Sequence, residues 1–121
     1  MKDQSVKKTK AKDLEEWKHW LSQHHATEQK VWLILAKQKT KHTSIKMPEA
    51  IAGALCYGWV DSRKKNIDDE YYQVYFTLRR TQSQWSTANI ALAERLIHAN
   101  EMQPAGLKVY RDRITNINSN S

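Results

Sequence analysis

The chain has 121 residues with a net charge of +7, and 40% of them are hydrophobic. That length suits one domain with a real core. A single cysteine, Cys56, excludes an internal disulfide scaffold, and no apolar run approaches the roughly 18 residues of a membrane span.

Residues 1–12 carry five lysines and one aspartate with no apolar stretch behind them. They read as a flexible basic tail rather than a signal peptide, and the expected location is the cytoplasm. Asp13 and Glu16 form a D-x-x-E capping box at the start of a first helix, on which Leu14, Trp17, Leu21 and His24 share a face. Val31 to Ala36 is an unbroken apolar run of strand length, expected to be covered on both sides. A Lys-rich loop, 37–46, leads to Pro48 in the first turn of a second helix with Met47, Ile51 and Leu55 inward and Gly58 at its end. Gly58–Lys65 and Glu70–Leu78 read as strands joined by the turn residues Asn66 to Asp69, a hairpin signal. Ser86 caps a third helix bearing Ile90, Ala93, Leu96 and Ile97, and Asn100 stops it. Pro104 opens a fourth helix, and 115–121 lack the apolar surface that ordering needs.

The expected fold is therefore α+β, in the order α-β-α-β-β-α-α. A small three-stranded, mainly antiparallel sheet would carry helices packed on it. Residues 13–114 form the single domain between the two tails.

The ordered series Ala54-Leu-Cys-Tyr-Gly-Trp-Val-Asp61, Asp68-Asp69, Phe76-Thr-Leu-Arg-Arg80, Trp85-Ser86 and Asn89 resembles the YdeI/OmpD-associated family. Trp20-Leu21, His24-His25-Ala26, Glu94-Arg-Leu-Ile97 and Met102-Gln-Pro-Ala-Gly-Leu107 fit the same pattern, so the resemblance covers about residues 14–110. It implies a bacterial stress-protection domain, directed at bacteriocins or cationic peptides, in a short version without the family's further C-terminal helical segment. Lys46 stands where that family usually has Thr or Ser ahead of the second helix.

Two candidate binding surfaces follow from the residues. With the hairpin centred on Asp68, Asp61 would oppose Tyr75 and Arg63 would oppose Gln73. Trp59, Asp61, Arg63, Lys65, Tyr71, Gln73 and Tyr75 would then share one face, opposite Val60, Tyr72, Val74, Phe76 and Leu78. Mixed aromatic and charged residues of this kind line polar-ligand sites. The second candidate is an anion site in which Arg79, Arg80, Ser86 and Asn89 hold a phosphate or carboxylate at a helix start, with Trp85 as a wall.

No histidine pattern has zinc-ligand spacing, no Gly-rich phosphate loop or nucleophile motif occurs, and no cofactor is implied. Catalytic and metal residues are therefore not assigned, and an enzyme of unrecognised type ranks last. A non-enzymatic domain binding a small anionic ligand or a protein ranks first. Nucleic-acid binding through the basic tail, the 37–46 loop and Arg63-Lys64-Lys65, with the aromatics stacking on bases, is the alternative. The oligomeric state is not readable from the sequence.

Overall fold

The computed structural model describes residues 7–79 and 85–119. Its elements are β1 (Lys8–Lys10), α1 (Leu14–His24), β2 (Lys30–Ala36), α2 (Met47–Cys56), β3 (Trp59–Asn66), β4 (Tyr71–Leu78), α3 (Thr87–His98) and α4 (Pro104–Ser119). The sheet has four strands in the order β1-β2-β4-β3. β1 runs parallel to β2, and the other two pairings are antiparallel.

This corrects the expected three-stranded, mainly antiparallel sheet. The extra strand is Lys8-Thr-Lys10, inside the stretch that reads as a tail. It has no apolar alternation and is held through its backbone: the Trp32 N–H donates to the Lys7 carbonyl at 2.9 Å, and Lys8 to Lys10 align with Trp32 to Ile34. Backbone pairing of this kind leaves no side-chain pattern to read. α4 also continues to Ser119, through the stretch expected to be disordered from Thr115.

The local signals explain the helices. Asp13 accepts from the Glu16 N–H at 3.0 Å, and the Glu16 carboxylate accepts from the Lys12 N–H at 2.8 Å. Lys46 offers α2 no side-chain cap, but Glu49 accepts from its N–H at 3.2 Å. Gly58 follows α2 with φ of 80°, the left-handed turn that glycine adopts without a Cβ penalty.

α1 and α2 build the core against one face of the sheet. Trp17 is fully buried, its ring 5.2 Å from that of Phe76, and its indole N–H donates to the Ala50 carbonyl at 2.9 Å. That approach needs Gly53, where a Cβ would stand 2.8 Å from the Trp17 ring. α2 buries Ala50, Gly53, Ala54, Leu55 and Cys56, while the expected stripe residues Met47 and Ile51 are only half-buried. Val31, Leu33 and Leu35 of β2 and Val74 and Phe76 of β4 complete the layer at 0–1% exposure. β2 is thus covered on one side only, not on both as its apolar run suggests: its outward residues Trp32, Ile34 and Ala36 are half-exposed.

Candidate functional site

The face of the sheet turned away from α1 and α2 is open. Strand alternation and register assign to it Lys8 and Lys10 of β1; Lys30, Trp32 and Ile34 of β2; Arg63 and Lys65 of β3; and Tyr71, Gln73 and Tyr75 of β4. Five of these are basic. Among the described residues, the only acidic residue in a strand is Asp61, and it pairs with the buried Phe76 on the other side. Among the described residues none of the five cations is in an ion pair.

Aromatic rings lie among these charges. Trp32 and Tyr75 face each other across β2 and β4, with ring centroids 4.9 Å apart. The Arg63 guanidinium sits 5.9 Å from the Tyr75 centroid, and the Lys10 ammonium 4.7 Å from that of Tyr71. His42, from the 37–46 loop, stacks on Tyr71 at 5.1 Å and contacts Glu70 at 3.3 Å. A cavity of about 310 Å³ opens between Trp32, Arg63, Lys64, Lys65 and Tyr75. Cations resting over ring faces are held at modest cost and remain available to a polyanion.

A bulge decides which expected residues belong here. Arg63 pairs with Tyr75 and Lys65 with Gln73, so the register is two residues away from the expected one. An even displacement keeps side chains on the same face. Arg63, Lys65, Tyr71, Gln73 and Tyr75 therefore do share a surface. Ser62 is then extra: the register shifts between Asp61 and Arg63, and the Ser62 hydroxyl donates to the Tyr75 carbonyl at 3.3 Å. Beyond this bulge the alternation inverts. Trp59 and Asp61 leave the face on which the sequence reading placed them. Trp59 is 1% exposed, in the core, edge-on to Trp20 at 6.0 Å.

The second candidate lies at a different corner. Arg79 is 5% exposed, with its guanidinium 4.3 Å from the Trp85 centroid. Burial lowers its pKa and the nearby Asp61 charge works against that shift. The Ser86 hydroxyl accepts from the Asn89 N–H at 3.1 Å, so both residues serve as the helix cap. Arg80 and the 81–84 loop lie outside the described residues. The eight described candidate residues therefore do not divide into the two expected surfaces: Arg63 and Tyr75 are on the open face, Trp59 is in the core, and Asp61, Arg79, Trp85, Ser86 and Asn89 lie elsewhere.

Sequence reasoning did not pick out Trp32 or Lys30, and it took Lys8 and Lys10 only as part of a flexible basic tail, not as a strand of this face. The alternation of β2 is masked because Trp32, Ile34 and Ala36 are as apolar as the residues they alternate with. The lysine ahead of the run, Lys30, was its one polar clue.

No group of three His, Cys, Asp or Glu residues is placed to hold a metal among the described residues. There also, no helix is long and apolar enough to cross a membrane.

Fold and surface together define a small α+β domain with one packed and one open, basic, aromatic sheet face. The chain belongs to the family described as "Domain of unknown function (DUF8412)", whose pattern matches residues 9–109. That match spans every strand but the start of β1 and does not connect the chain to the YdeI/OmpD-associated family. No curated protein and no solved structure matches the chain.

Proposed function

We propose that the open face binds single-stranded nucleic acid, with bases stacked on Trp32, Tyr75 and Tyr71 and phosphates held by Lys8, Lys10, Lys30, Arg63 and Lys65. The observation that carries this reading is the coincidence on one surface of five cations with no ion pair among the described residues, no acid in any described strand, and three half-exposed aromatic rings. Single strands suit it because their bases expose π-faces, and each base stacked on an aromatic ring contributes about 1–3 kcal/mol. The chemistry asked of the face is binding, not catalysis.

The other reading is a YdeI/OmpD-type protection domain with a small anion at the Arg79–Asn89 corner. It has less support. The Ser86 hydroxyl already accepts from the Asn89 N–H, and Arg79 is only 5% exposed.

Fluorescence anisotropy with a labelled single-stranded oligonucleotide, repeated at rising salt, tests the proposal. Release of counterions by five contacts on a single strand predicts a log K against log[salt] slope of about −3.5. Exchanging Arg63 and Lys65 for glutamine should flatten that slope by about 1 to 1.5. No retention at low salt, or a slope near zero, overturns the reading.

A further inference from the structure

The packed face of the sheet is left partly uncovered at its hairpin end. Lys64 pairs with Val74 and Asn66 with Tyr72, so both belong to the face that α1 and α2 cover further along, yet both are exposed. A cavity of about 580 Å³ opens there, between the start of α2, the 37–46 loop and the hairpin. It is lined by Lys37, Gln38, Met47, Lys64, Asn66 and Tyr72. A smaller hollow of about 230 Å³ shares Lys37, Gln38, Met47 and Tyr72 with it and continues toward Lys46 and Pro48. Among the described residues no aspartate or glutamate lines either one. The larger volume is within the range of small-molecule sites.

We propose that this cavity binds a small aromatic carboxylate. Its apolar walls are Met47 and Tyr72, both half-buried and packed against the core. A thioether makes favourable contacts with aromatic rings, which suits a flat aromatic body. Burial raises the Tyr72 pKa, so that wall is uncharged. The lysine stems add apolar surface while their ammonium groups supply the charge. The Lys64 ammonium is 4.8 Å from the Tyr72 ring centroid, and the Lys37 ammonium donates to the Asp68 carbonyl at 2.6 Å. Neither is in an ion pair among the described residues. The Asp68 carboxylate lies close enough to feel the Lys37 charge, which leaves Lys64 as the less compensated of the two. One negative charge matches that balance better than the two of a phosphate monoester. The inference does not rest on the nucleic-acid reading, because Tyr72 is on the opposite face of the sheet from Trp32 and Tyr75.

The test is a ¹⁵N NMR titration of the full chain with 2-naphthoate. Two companion probes divide its chemistry: 2-naphthalenemethanol keeps the ring without the charge, and acetate keeps the charge without the ring. Naphthoate should shift the backbone amides of Lys37, Met47, Lys64 and Tyr72 in a saturable way, while those of Trp32 and Tyr75 stay nearly still. The neutral alcohol should bind the same place about tenfold more weakly, the size of one charge-assisted contact, and acetate should not saturate. Lys64→Gln should weaken naphthoate about tenfold and leave the alcohol unchanged. Lys64 is exposed, so the variant should fold, and its amide spectrum checks this. No saturable shift with naphthoate, shifts centred on Trp32 and Tyr75, equal affinity for the alcohol, saturation by acetate, or naphthoate binding unaltered in folded Lys64→Gln each overturns the inference. Those results leave the open face untouched, since no oligonucleotide enters the experiment.

Discussion

On β4, Val74 and Phe76 are 1% and 0% exposed, while Tyr75 between them is half-exposed. The same alternation runs through β2, where buried Val31, Leu33 and Leu35 interleave with Lys30, Trp32 and Ile34. One face packs against Trp17 and Leu21 of α1 and the small residues of α2. The other carries aromatic rings and cations that no described acid neutralises. The contrast between two faces of one sheet separates what holds this protein together from the surface proposed above to bind.

Neighbouring substitutions sharpen that contrast most. Phe76→Ala should destabilise the protein by about 3–5 kcal/mol, because it opens a cavity beneath Trp17. Tyr75→Ala, one residue away, removes only a cross-strand pair worth up to about 1 kcal/mol. It should nevertheless weaken oligonucleotide binding by about tenfold or more through the lost stacking partner. Urea unfolding and anisotropy on both variants check this, and similar stability losses in the two would break the distinction between the faces.

A smaller effect belongs to the hairpin turn, which lies at the end of the sheet and on neither face. The Asp68 carboxylate accepts from the Glu70 N–H at 2.8 Å and the Tyr71 N–H at 2.9 Å. Those bonds, the Glu70 one foremost, lower its pKa below the usual carboxylate value. A lowered folded-state pKa means that the turn's stabilisation is complete above the unfolded-state value and is lost as pH falls through the folded one. The Tyr71 amide resonance should therefore move only below the ordinary aspartate range, and Asp68→Asn should abolish that movement. A midpoint at the ordinary value would contradict the turn geometry.

Much of this architecture is legible in the sequence because it rests on local signals. The Asp13 cap, Pro48 in the first turn of α2, Gly58 after it and the Ser86 cap each act within a few residues. Three features are not local. β1 joins the sheet through backbone pairing that Lys-Thr-Lys does not advertise. The apolar outward residues of β2 disguise a half-covered strand as a fully covered one. The Ser62 bulge, which sends Trp59 and Asp61 to the core side, has no sequence mark. The candidate surface was accordingly half visible: Arg63, Lys65, Tyr71, Gln73 and Tyr75 group as the hairpin pattern implies, while the β1 and β2 contributions need the sheet order.

The tryptophans report on the two faces independently. Trp32 is on the open face; Trp17, whose indole N–H is bonded to Ala50, and Trp59 are in the core. The most direct measurement is a ¹⁵N NMR titration of the indole resonances with a single-stranded oligonucleotide. Binding at the open face predicts a large, saturable shift of the Trp32 indole signal, with those of Trp17 and Trp59 nearly still. An unmoved Trp32 at saturating oligonucleotide, or a response confined to Trp85, would contradict it.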